Sequence, residues 1–215
     1  MKIFFKAILA AGTLIVVTFA ISASWLYLYS RDLPDLPTLA SFAPDAPSTL
    51  EESCSSISVR AVPYSSLGRD LRNASRAAEG ASKAHLALQI SRGLFCNSGK
   101  RQLERYLLEY KASVQLRRQF TFEQLLTIYL NRAYFGPDLI GIENASLHFY
   151  RKHTSELNLP ESVLMIGLIT APAMYSPELH PARAKMRRDA MIGAMLRQGT
   201  ITAQQAAAAV NASIP

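Results

Sequence analysis

RYLLEYKASVQLRRQFTFEQLLTIYLNRAYFG, residues 105–136, is the stretch on which the reading of this chain turns. Leu103, Tyr106, Leu107, Tyr110 and Val114 recur at i, i+3, i+4, i+7 and i+11. A helix here carries them as one apolar stripe, the side that an amphipathic helix turns to its core. Phe122, Leu125, Leu126 and Tyr129 make a second stripe that begins just after Thr121, a residue suited to cap a helix N-terminus. Arg105 and Glu109 lie four apart, so they share a face and can touch. Periodicity alone therefore gives a helical hairpin with a surface ion pair, closed by an aromatic turn.

The wording of the stretch adds to its periodicity. IYLNRAYFG (residues 128–136) and GIENASLHFYRK (residues 141–152) resemble the fourth motif region of the peptidoglycan glycosyltransferases, glycosyltransferase family 51. That family polymerises lipid II, either as monofunctional enzymes or as the first domain of large penicillin-binding proteins. The resemblance implies a mostly α-helical, lysozyme-like domain over residues 59–215. It begins at VPYSSLGRDLRNASRAAEG, where Glu79 occupies the position of the family's first catalytic glutamate. In SKAHLALQISRGLF, Gln89 stands for the last glutamine of the second motif. In the third motif Arg105 and Glu109 match the arginine and glutamate, and in the fourth Asn131 is kept with Tyr129 and Leu130. HPARAKMRRDAMIGAML matches the fifth, with Arg187 and Arg188 as its double arginine and Met191, Ile192 and Met195 as a packing stripe.

Between these matches the chain departs from the pattern. Gly80 replaces an aspartate, and the segment that follows it in the family is essentially absent. The Ser and Thr positions of the second motif are Ala84, His85 and Ala87, and two motif lysines are Tyr106 and Phe122. In the family the missing segment helps form the acceptor side of the cleft and an apolar jaw against the membrane. The lost lysines would face the donor's pyrophosphate. Arg105 remains as a planar fork suited to phosphate.

Outward from the domain, a run over residues 7–29 carries no charge, follows Lys2 and Lys6, and ends in Trp25, Tyr27 and Tyr29. It is long enough to cross a bilayer, and the lysines favour a cytoplasmic residues 1–6 with the body outside. A cleaved signal peptide is the rival, for which this run is too long a core. Residues 30–58 shift to Pro, Ser, Asp and Glu and read as an extracytoplasmic linker. Such a placement puts the domain in the periplasm, on the bacterial inner membrane. There the compartment is oxidising, and a Cys54–Cys96 disulfide and two free thiols both fit the sequence.

The 49% hydrophobic composition of the 215 residues allows one domain with a real core. The apolar run Val163–Ile169, with Pro160 in its first turn, reads as the central helix. Thr202 and Gln205 make a capping box for a last Ala-rich helix. The net charge of +7 is spread over the domain without an aromatic-interleaved basic motif, which argues against nucleic acid. It suits anionic headgroups or a pyrophosphate-bearing lipid. The four histidines lack zinc-ligand spacing, and there is no phosphate loop or nucleophile elbow.

Two readings follow. In the first, an anchored glycosyltransferase polymerises lipid II, with Glu79 as general base and Glu109 aiding the leaving pyrophosphate. Gln89, Arg105, Asn131, Arg187 and Arg188 then hold substrate. No cofactor is required, although Mg²⁺ or another divalent cation could assist. Lipid II, the growing glycan strand, the inner membrane and other cell-wall synthases are the expected partners. In the second, a non-catalytic member of the same fold serves that machinery as a partner or regulator. A lysozyme-like hydrolase using the two carboxylates is a third, weaker reading.

Overall fold

The computed structural model describes residues 62–78, 82–94 and 101–215. The apolar run 7–29, the linker, Cys54, Cys96 and Glu79 lie outside the described residues. Among the described residues no helix is long and apolar enough to cross a membrane.

In chain order the helices are α1 (Arg69–Ala77), α2 (Lys83–Leu94), α3 (Gln102–Gln119), α4 (Phe122–Arg132), α5 (Ile142–Tyr150), α6 (Leu159–Ile169), α7 (Pro172–Tyr175), α8 (Pro181–Arg197) and α9 (Ala203–Val210). One small antiparallel pair, β1 (Tyr134–Gly136) and β2 (Leu139–Ile140), sits between α4 and α5. The described chain is thus mostly helical. The aromatic turn read from the sequence is this hairpin, with Tyr134 opposite Ile140. Its turn uses Asp138 at φ 58° and Gly136 at φ 152°, backbone that ordinary side chains rarely adopt.

The run predicted to be central is central. Ser162 through Leu168 are all buried in α6, which packs against α1 on one side and α8 on another. Each fully buried Val, Leu or Met there contributes roughly 1.5–3 kcal/mol. Asn158 and Glu161 form a reciprocal capping box at its start, and Pro160 falls in the first turn, where no N–H is missed. Gly167 lets α8 approach: a Cβ there would stand 3.2 Å from Arg187 Cγ and from Met191 Sδ. Met191, Ile192 and Met195 fill the α8 side of the same core, as their spacing predicts. Gly199, at φ 70°, closes α8, and Thr202 with Gln205 caps α9.

α2, α3 and α4 make a second group of helices. Leu125 and Leu126 of α4 are buried with Phe122 and Tyr129 packed at their edge, and Thr121 with Gln124 forms the cap. On α3 the structure corrects the sequence reading. Its buried side is Leu108, Glu109, Ala112, Ser113 and Leu116, while Leu103 (65% exposed), Tyr106 (50%) and Tyr110 (66%) face outward. The reason lies in the partner. The buried side of α2 is Leu86, Ala87, Ile90 and Ser91, and short side chains on both helices let the two backbones come close. Ser91 Oγ donates to Ala87 O (2.7 Å) and Ser113 Oγ to Tyr110 O (2.8 Å), so neither buried hydroxyl needs a partner across the interface.

Candidate functional site

Turning α3 in this way puts Glu109 at the α2–α3 interface, only 6% exposed. Arg105, one helical turn earlier, places Nε 3.4 Å from Glu109 Oε1. Arg92, at the end of α2, places Nε 4.0 Å from Oε2. Arg92, Arg105, Tyr106 and Glu109 line a cleft of about 390 Å³. Neither ion pair is tight. Arg105 Nε is buried yet makes no hydrogen bond, so a donor close to the carboxylate is left unused. Among the described residues, two guanidiniums flank one buried carboxylate here, an arrangement suited to an anionic group such as a phosphate.

The other described residues expected at the site are not among those that line this cleft. Gln89, on α2, places Nε2 3.3 Å from His85 Nε2 and is not among the described residues lining the cleft. Asn131 is buried at the end of α4, where Oδ1 accepts from Val62 N (3.0 Å) and Nδ2 donates to Val62 O (2.9 Å). Its amide is a clasp on the backbone of the first described residue. Arg187 donates from Nη2 to Thr170 Oγ1 (3.3 Å) and lies 5.7 Å from the centroid of the Tyr175 ring.

Arg188 is 1% exposed, and its guanidinium is occupied. Nη1 donates to Ala212 O (2.7 Å), Nη2 to Val210 O (2.8 Å) and Nε to Asp189 Oδ1 (3.0 Å). It fastens the carbonyls that end α9, a buried charge satisfied on every side. Burial would raise the Asp189 carboxyl, but Lys185 and Arg188 outweigh it and hold it below the usual range. Of the residues expected to hold substrate, Arg105 stands beside Glu109 in the cleft, while Gln89, Asn131, Arg187 and Arg188 are not among the described residues that line it. Arg92 escaped the sequence reading because a lone arginine at a helix end is ordinary.

Among the described residues, no group of three or more His, Cys, Asp or Glu could hold a metal ion.

A family model described as Transglycosylase matches residues 56–196. The chain belongs to the transglycosylase family. Among curated relatives, penicillin-binding protein 1A of Aquifex aeolicus is 37% identical over 123 residues, covering 57% of this chain and 17% of that protein. Penicillin-binding protein 1A of Rickettsia felis is 31% identical over 244 residues, covering 94% of this chain and 30% of the relative. This transglycosylase-family chain thus spans a third or less of the length of these relatives. The second alignment is longer than the chain's own 215 residues, so the relative carries at least 29 positions without a counterpart here. A crystal structure of penicillin-binding protein 1A from Haemophilus influenzae aligns with 74% of this chain and 18% of that one, at 20% identity and a TM-score of 0.49.

Proposed function

We propose that this transglycosylase-family chain is a membrane-anchored peptidoglycan glycosyltransferase that polymerises lipid II on the outer side of the bacterial inner membrane. The observation that carries the reading is the buried Glu109 with Arg105 and Arg92 beside it in one cleft. On this reading the lysozyme-like domain transfers a sugar from a lipid-linked donor to the end of a glycan strand. Glu79 takes the proton from the acceptor's 4-hydroxyl as the oxygen attacks the anomeric carbon. Such proton removal typically contributes about 10²–10⁴-fold.

The bond from the anomeric carbon to the pyrophosphate oxygen breaks, and negative charge grows on the departing group. Arg105 and Arg92 face that charge, while Glu109 keeps their forks oriented. Because the guanidiniums sit at 3.4 and 4.0 Å from the carboxylate, they can turn toward a second anion without breaking a tight bond.

The alternative is a family member without activity that serves the synthesis machinery as a partner. It is favoured by the departures after Glu79 and by Tyr106 and Phe122 at the lysine positions. Polymerisation of labelled lipid II by the detergent-solubilised full chain decides between them, run beside Glu79→Gln and Glu109→Gln. Glycan chains from the parent that disappear in both variants support the enzyme. Folded parent protein that yields no chains, where another transglycosylase works, leaves the partner reading.

A further inference from the structure

Tyr106 stands where the resemblance expects a lysine, yet it does not leave the cleft. It is one of the four described residues lining it, beside Arg92, Arg105 and Glu109. The other three present charge; the phenol ring of Tyr106 is the one broad apolar surface among them. That ring is half exposed but held. The Arg105 guanidinium carbon lies 5.7 Å from the ring centroid, within cation–π range, and Gln102 Nε2 donates to the Tyr106 hydroxyl at 3.1 Å. An aromatic side chain has only two soft torsions, so two such contacts fix its plane at little further entropic cost.

A pyranose has a complementary shape. Its hydroxyls radiate from the rim, where guanidiniums and a carboxylate can reach them, and its axial C–H bonds gather on one face. That face packs on an aromatic ring through many weak contacts that add up.

We infer that Tyr106 is a sugar-stacking platform, binding the C–H face of a pyranose of the glycan that occupies this cleft. The inference rests on the reading that the cleft handles peptidoglycan sugars, and it gives the cleft a second kind of recognition beside its positive charge. Replacing an ammonium by a flat uncharged face moves part of the binding from the phosphate of the substrate to its sugar. The same ring braces Arg105 from the side, so sugar and phosphate recognition meet at neighbouring residues of α3.

The probe is a soluble tetramer of N-acetylglucosamine, titrated into the full chain in detergent micelles and followed by ligand-observed NMR. The parent binds it, Tyr106→Ala weakens binding about 10-fold, and Tyr106→Phe stays within about twofold because the ring and not the hydroxyl makes the contact. Tyr106→Lys loses as much as the alanine variant. Tyr110→Ala, the exposed tyrosine one turn along α3, binds as the parent does.

A parent that does not bind the tetramer, an alanine variant that binds like the parent, or a phenylalanine variant that loses as much as alanine each overturns the platform. Lipid II polymerisation is scored separately. Polymerisation with tetramer binding indifferent to Tyr106 leaves the enzyme and removes the platform. Tyr106-dependent binding without polymerisation leaves the platform and removes the enzyme.

Discussion

Glu109 and Glu143 are both buried carboxylates on helices of this domain, 6% and 3% exposed, and they are held in opposite ways. Glu143, on α5, is saturated: His153 Nδ1 lies 2.6 Å from Oε1, while the Thr154 backbone N–H (3.1 Å) and hydroxyl (2.8 Å) both donate to Oε2. Glu109 has two guanidiniums near it at 3.4 and 4.0 Å, in a cleft with room for another molecule. The first carboxylate is fastened into the frame, with α5 on one side and the Thr154–Glu156 turn on the other. The second is placed at an edge where its neighbours retain unused donors. Burial of a charge does not by itself mark a functional site; how completely its partners are consumed separates the two roles.

The comparison breaks most sharply at Glu109. Glu109→Gln keeps the shape but releases the guanidiniums, and lipid II polymerisation is expected to fall about 10²–10³-fold. The melting temperature should stay within about 2 °C of the parent, since little else depends on the group. A large loss of stability would put Glu109 in the same class as Glu143.

Glu143→Ala is expected to behave in the reverse manner. It strands the Thr154 donors in a buried site and costs about 3 kcal/mol, or roughly 6–12 °C in melting temperature for a domain of this size. Activity per folded molecule should hold, measured well below the melting point.

The same contrast extends to pH. Burial alone would raise the Glu143 carboxyl, but hydrogen bonds from His153 and Thr154 outweigh it and hold it below its ordinary value of 4.5. A depressed carboxyl stabilises the fold above the unfolded-state value, and the contribution is lost as pH falls through the lower folded one. The parent's melting temperature should therefore drop more steeply than that of Glu143→Gln between about pH 5 and pH 3. Asp189 and Glu123, also depressed, leave the variant a residual slope of the same sign. Equal slopes would remove Glu143 from the account.

The smallest effect is expected at Arg92, the more exposed and more distant of the two guanidiniums. Arg92→Ala should lower kcat and kcat/KM for lipid II about 5–10-fold with KM less affected, as steady-state rates would show.

Much of the fold was legible because it depends on periodicity and caps. α6, apolar on every side, could only be central, and Thr121, Pro160, Gly199 and Thr202 marked helix ends by local chemistry. α3 misled because its stripe of Leu103, Tyr106 and Tyr110 outweighs its buried side in hydrophobic mass. A helix buries the face that fits its neighbour, and the buried faces of these two packed helices both carry short side chains, Ala87 and Ser91 on α2 and Ala112 and Ser113 on α3. The contact between Arg105 and Glu109 was legible, because a spacing of four is a local property. The contacts of Asn131 and Arg188 were not, because their partners, Val62 and the carbonyls of Val210 and Ala212, are fixed by tertiary folding.

The Asn131 clasp connects to the cleft. Val62 is the first described residue, and the two bonds from the Asn131 amide fix its backbone to the end of α4. Asn131 is buried on α4, and α4 packs against α2, one wall of the cleft. Val62, Asn131, α4 and the helix that carries Arg92 thus form one connected path of contacts from the first described residue to a wall of the cleft.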